Sequence, residues 1–190
     1  PRTSSAASDV YKRQTMKRDH SHFLGPIGGL GGKAANNLAK QTDLAIAVGT
    51  KLADFTTGSW ANFENPNFSL VSVNVSRFDA SKHLAQSVIG DAKVSLQELS
   101  NALGDWKAPD EWHKKSRDEL KNWNDYVDKE SGPTNQELPS YAHAVGAIYR
   151  NSDPTDIAVT AAGGLVGEVV QIWRPKELNT HETEWGFSCM

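Results

Sequence analysis

Leu44-Ala45-Ile46-Ala47-Val48-Gly49 is an unbroken apolar run closed by glycine, and no other stretch restricts the fold as much. A short run of this kind suits a parallel strand buried on both faces, because the crossover helices of a parallel sheet cover both its sides. Leu70-Val71-Ser72-Val73-Asn74-Val75 reads as a second strand, and Ser87-Val88-Ile89, just before Gly90-Asp91, as a short third. Helical periods flank them. Residues 31–40 place Ala34, Ala35, Leu38 and Ala39 on one helix face. Asp91 is positioned to cap the next helix, in which Ala92, Leu96, Leu99 and Leu103 recur at helical spacing. Strands alternating with helices predict a parallel α/β sheet over residues 19–104.

Gly104 closes that unit and the composition changes. Residues 105–133 are dense in charge, with Trp112, Ser116, Leu120, Trp123 and Val127 on one helical stripe. This predicts a surface linker helix that uses its tryptophans as anchors on a neighbouring domain. Acidic residues interleave with its lysines, which removes it as a nucleic-acid face. Ser131-Gly132-Pro133 should stop it. A second α/β unit opens at residue 134: a helix carrying Tyr141, Val145 and Ile148 on one face, a strand at Asp156-Ile157-Ala158-Val159-Thr160, the turn Ala161-Ala162-Gly163-Gly164, and a helix from Leu165. Too little sheet follows to make a domain alone. Residues 1–18 show neither hydrophobic period nor signal-peptide character, which predicts a scar or disordered tail outside the fold. The chain stops in an ordered-looking apolar segment, so its pattern is that of a fragment cut at both ends.

Charge and cysteine usage narrow the function. Twenty basic against 23 acidic side chains give a net charge of −3, without the basic footprint of a nucleic-acid binder. No apolar run is long enough to span a bilayer. A lone cysteine cannot form an internal disulfide and suits a reducing cytoplasm.

Two glycine clusters compete as ligand loops. In Gly25-Pro26-Ile27-Gly28-Gly29-Leu30-Gly31-Gly32-Lys33-Ala34, residues Gly29, Gly31 and Ala34 formally satisfy a dinucleotide fingerprint. That fingerprint needs a strand immediately before it, whereas here the clear strand comes after. The Walker pattern also fails, with Ile27 in place of its first glycine and Ala34 in place of its hydroxyl residue. A glycine-rich lead-in to a closely packed helix fits better. Ala162-Gly163-Gly164 is better placed, at the carboxyl end of a strand and the start of a helix, where α/β sheets bind ligands and backbone N–H groups hold anions. It reads equally well as a plain strand–helix turn. The six histidines are scattered without metal-ligand spacing and read as solvated surface. Cys189 lacks an assignable partner and reads as a buried structural cysteine, and Ser59 lacks the glycines of a nucleophile elbow.

Taken together, Gly25-Pro26-Ile27-Gly28, Ala34-Ala35-Asn36, Ala47-Val48-Gly49-Thr50-Lys51-Leu52, Asp54-Phe55-Thr56-Thr57-Gly58-Ser59-Trp60 and Asn74-Val75-Ser76-Arg77-Phe78-Asp79 resemble the Rossmann-like central domain of thiamine diphosphate enzymes. Ala161-Ala162-Gly163-Gly164-Leu165 and Glu184-Trp185-Gly186-Phe187-Ser188-Cys189-Met190 narrow the resemblance to the carbon–carbon hydrolases that open a cyclic dione in inositol catabolism. The resemblance implies three α/β domains per subunit in a homo-oligomer, with residues 19–104 as the central domain, which usually binds no thiamine. It makes 105–133 the linker and 134–190 the opening of the diphosphate domain. It implies thiamine diphosphate and Mg2+ as cofactors. The magnesium-binding Gly-Asp-Gly…Asn segment would lie beyond Met190 and the catalytic glutamate in a preceding domain, leaving this fragment inactive alone. Gly163, Gly164 and Leu165 match the turn near the cofactor's phosphates. Cys189 and Met190 match the segment supporting its bent shape. The rivals are an acetolactate synthase-like carboligase and a nucleotide-binding or structural Rossmann-like module without thiamine.

Overall fold

A computed structural model describes residues 20–161 and 163–183. The three apolar runs form strands β1 (Leu44–Val48), β2 (Ser69–Asn74) and β3 (Gln86–Ile89) of one parallel sheet in the order β1-β2-β3. The register pairs Leu44 with Ser69, Val48 with Val73, Val71 with Gln86 and Asn74 with Ile89. Helix α1 (Lys33–Ala39) precedes β1, the short α2 (Asp54–Thr57) and α3 (Arg77–Ala80) follow β1 and β2, and α4 (Ala92–Leu103) follows β3. Ala34, Ala35, Leu38 and Ala39 are all buried, as the period of α1 requires.

Burial on both faces holds only for the central strand. Leu70, Ser72, Val73 and Asn74 of β2 are buried, whereas Leu44 and Ile46 of β1 and every residue of β3 are substantially exposed. The reason is topological: β1 and β3 are the sheet's edges, each paired on one side only among the described residues. Helix α4 forms where expected, with Asp91 Oδ1 accepting from the N–H groups of Lys93 and Val94 at 2.9 and 3.0 Å, yet it buries no residue. Asn74 binds the strand ends together, its Nδ2 donating to the Thr50 carbonyl at 3.0 Å and its Oδ1 accepting from Ser76 N–H at 2.9 Å.

The turn after β2 is fixed by charge. Ser76 Oγ accepts from Asp79 N–H at the start of α3, and Lys82 Nζ lies 2.9 Å from Asp79 Oδ1. The Lys82 ammonium, with the Ser76 hydroxyl, holds the Asp79 carboxyl below the usual carboxylate range. A pKa lowered by folding gives stability that is complete above the unfolded carboxylate pKa and lost as pH falls through the folded one. Asp79→Asn should therefore cost about 1 kcal/mol near neutral pH, a difference that shrinks as pH falls below the usual carboxylate range. Urea midpoints across that range test this, and a constant difference would remove the Lys82 pair as its cause.

The charged linker forms α5 (Asp110–Glu130), which ends at Ser131. It buries Ser116 and Val127 along the expected stripe, and Trp123 Nε1 would stand 3.1 Å from a Cβ on Gly32. Val127 joins Val145 of α6 (Tyr141–Arg150) and Val169, Ile172 and Trp173, in and just beyond α7 (Leu165–Ile172), in one core, each contributing about 1.5–3 kcal/mol over exposure. The face of α6 differs from expectation. Tyr141 and Ile148 are exposed, and Ala142, Val145, Gly146 and Tyr149 turn inward. Gly146 sets this rotation, because a Cβ there would stand 2.1 Å from the Ser131 carbonyl oxygen. Only a glycine lets the end of α5 approach so closely. Strand β4 (Ala158–Thr160) pairs in parallel with β5 (His181–Thr183), Ala158 opposite His181 and Thr160 opposite Thr183. No helix among the described residues is long and apolar enough to cross a membrane.

Candidate functional site

The glycine cluster at residues 25–34 is filled by protein. Gly28 sits at φ +108°, its N–H donating to Asn36 Oδ1 while Asn36 Nδ2 donates to the Gly28 carbonyl, both at 2.9 Å. Gly29 N–H donates to the Phe55 carbonyl at 2.8 Å, and a Cβ on Gly31 would stand 2.5 Å from Ile27 carbonyl carbon. Leu30 packs on Val166 and Val170 of α7, and its carbonyl accepts from Gln171 Nε2. These backbone groups are spent on packing α1 and α7, which agrees with the reading as a lead-in to a closely packed helix. Asn36 is the organising residue that sequence reasoning missed: Asn62 Nδ2 also donates to its Oδ1 at 3.1 Å, so one amide joins three segments. Its place beside two alanines in the family-like string was the available signal.

The β4–α7 turn is open instead. Gly163 lies at φ +117°, a region that favours glycine, and a Cβ there or on Gly164 would meet no atom of the described residues within 4 Å. Gly164 is the residue before α7, and no side chain caps the helix. The first-turn N–H groups of an uncapped helix lack intrahelical acceptors, so they face outward toward anions. Leu165 is 46% exposed beside them. Gly163, Gly164 and Leu165 are thus exposed at the start of α7, where backbone N–H groups favour an anion.

The parallel pairing of β4 with β5 matters here, because both strands then end on the same side. Thr160 Oγ1 lies 3.0 Å from Thr183 Oγ1 at that edge. Thr183 thus ends beside Thr160, at the carboxyl ends where α/β sheets bind ligands. Cys189 and Met190, and Ala162 of the turn itself, lie outside the described residues.

The histidines separate. His20 and His22 remain in the lead-in, with His22 stacked on His113 of α5 at 4.8 Å, and His83 stacks on Trp60 at 4.0 Å with Nε2 3.1 Å from the Leu52 carbonyl oxygen. His181 corrects the surface expectation: it is fully buried in β5, its Nε2 3.3 Å from Thr183 Oγ1. The cause is the pairing with β4, which alternation within three residues could not reveal. No group of three or more metal-ligating side chains occurs among the described residues.

Parallel α/β sheets with an open, glycine-led turn at a strand's carboxyl end define a class of cofactor-binding α/β protein. Residues 5–99 match the family of thiamine pyrophosphate enzymes, central domain, and the chain belongs to that family. The match begins inside the stretch that pattern alone sets outside the fold. The chain is 33% identical over 197 residues, 93% of its length, to a protein of Geobacillus thermodenitrificans. It is 35% identical over 196 residues, 88% of its length, to one of Clostridium tetani, and 32% identical over 205 residues, 94% of its length, to one of Clostridium perfringens. All three are named 3D-(3,5/4)-trihydroxycyclohexane-1,2-dione hydrolase. The chain spans 30–32% of the length of these relatives.

Proposed function

We propose that this chain is part of a thiamine diphosphate- and magnesium-dependent hydrolase that opens the ring of trihydroxycyclohexane-1,2-dione in the cytoplasmic breakdown of inositol. The observation that carries this reading is the name shared by relatives that align over 88–94% of the chain. Residues 19–104 serve as the central domain, 105–133 as the linker and 134–190 as the opening of the diphosphate domain, within a homo-oligomer. Bound thiamine diphosphate supplies an electron sink for breaking a carbon–carbon bond. The chain's own part is to hold its anionic end. The backbone N–H groups at the start of α7 donate to phosphate oxygens, and Gly163 and Gly164 keep side chains out of their way. That no described residue would meet a Cβ on either glycine supports this role. Cys189 and Met190 support the cofactor between its rings, and the ligands of magnesium lie outside this sequence, which contains no Gly-Asp-Gly.

The test is an assay of the dione with thiamine diphosphate and Mg2+, run on the longer polypeptide carrying this segment and on the 190-residue chain. The longer protein should release the open-chain deoxy-uronic acid and stop when chelator removes magnesium. The 190-residue chain should give no turnover. Condensation of pyruvate in place of dione hydrolysis would reassign the enzyme as a carboligase, and turnover by the short chain would overturn its assignment as an inactive part.

A further inference from the structure

Beyond the far end of α7 from Gly163 lies a second recess whose chemistry is unrelated to the turn. The helix has eight residues, so the two places are about 12 Å apart along its axis. The recess is a cavity of about 310 Å³ between the lead-in, α5, α6 and the segment after α7. That volume reaches the lower end of the range of small-molecule pockets. Phe23, Leu120 and the ring of Tyr149 give it apolar walls, and Asn124, Arg174 and Lys176 bring polar groups.

The two cations are unequally satisfied. Arg174 Nη2 lies 2.9 Å from Asp128 Oδ1 and donates to the Asn124 carbonyl at 3.3 Å. Arg174 Nε is buried and donates to nothing among the described residues. A buried N–H without an acceptor is costly, and a charged one more so. Lys176 Nζ sits over the Tyr149 ring at 5.6 Å, a contact that orients the ammonium without neutralising it. Tyr149 is itself fixed, its hydroxyl donating to the Arg174 carbonyl at 3.1 Å and its ring packed edge-on against Trp173. Asp128 pairs with Arg174, Asp153 and Asp156 line the adjoining recess that Arg174 and Lys176 also border, and no carboxylate among the described residues forms an ion pair with Lys176.

We propose that this cavity binds a small organic monocarboxylate, with its carboxylate on Arg174 and Lys176 and its apolar body against Phe23, Leu120 and Tyr149. An ammonium with no ion-pair partner among the described residues, beside a fixed guanidinium, suits an anion, and the apolar walls select an acid with a hydrocarbon or aromatic body over a bare ion. The guanidinium is pre-positioned by its Asp128 and Asn124 contacts, so little freedom is lost on binding.

Benzoate is the probe, titrated into the nitrogen-15-labelled chain while the Arg174 Nε–H resonance is followed. That resonance should shift saturably, and acetate and inorganic phosphate should bind at least about tenfold more weakly. Arg174→Gln should lower benzoate affinity about tenfold or more, and Lys176→Gln about threefold. Lys176→Gln keeps the Arg174–Asp128 pair, so it decides the matter even if loss of Arg174 disturbs the fold. No saturation by about 10 mM, equal affinity in wild type and Lys176→Gln, or phosphate binding as tightly as benzoate would each overturn the proposal.

Discussion

Gly28→Ala is expected to destabilise the chain by about 3–5 kcal/mol, whereas Gly25→Ala, three residues earlier, should cost only about 1 kcal/mol. Both glycines adopt positive φ, +92° and +108°, so both substitutions meet the same conformational penalty. They differ in what surrounds them. A Cβ on Gly25 meets no atom of the described residues within 4 Å, but one on Gly28 would stand 1.9 Å from the Phe55 carbonyl oxygen and 2.8 Å from that of Thr56. Those neighbours are backbone and cannot swing away as a side chain would. Relief requires moving the chain at Phe55, which breaks the Gly29 N–H bond to Phe55 and strains the paired bonds between Gly28 and Asn36. A loss of this size approaches the whole stability of many domains. Denaturant unfolding followed by the fluorescence of the six tryptophans reads both variants. Equal losses for the two would show that crowding at Phe55 does not matter and that positive φ alone sets the cost.

The contrast between those glycines shows where sequence pattern reaches and where it stops. Apolar runs located β1, β2 and β3, and helical periods located α1 and α4, to within a residue or two, because period is a local property of the chain, whereas the four-residue α2 and α3 are too short to show one. Exposure of β1 and β3 was not legible, since a strand's cover depends on which neighbours flank it in space. The inward face of α6 was misjudged for a related reason. Tyr141, Val145 and Ile148 form a fair apolar stripe, but the close approach of Ser131 to Gly146 rotates the helix toward Ala142 and Tyr149. His181 looked like surface among acidic neighbours until its pairing with Ala158 placed it inside. Asn36 carries bonds to residues eight and 26 positions away, a role no window of sequence displays. At the candidate site the position of Gly163 was legible, because a strand running into glycines and a helix is a local signal. The companionship of β5 was not, because it joins residues more than twenty apart.

That companionship bears on the second large effect. In the longer protein carrying this segment, Gly163→Ala should raise the dissociation constant for thiamine diphosphate with Mg2+ at least about tenfold, while Gly164→Ala changes it about threefold or less. Neither Cβ meets an atom of the described residues within 4 Å, so crowding among them does not distinguish the two variants. The backbone does. Gly163 holds φ +117°, which alanine adopts only under strain, and Gly164 holds φ −64° and ψ −32°, which alanine adopts freely. Alanine at 163 therefore drives the turn toward another conformation and re-aims the N–H groups that open α7, while alanine at 164 leaves them in place. The global cost at 163 stays near 1 kcal/mol because the turn is exposed, so the protein remains folded and its affinity measurable. Calorimetric titration of the cofactor into both variants, with thermal melts of the cofactor-free proteins alongside, separates binding from stability. Unchanged affinity in Gly163→Ala would remove this turn from the phosphate site. A large loss at Gly164→Ala alone would move the closest cofactor contact one residue onward, where a methyl group rather than backbone strain would be the obstacle.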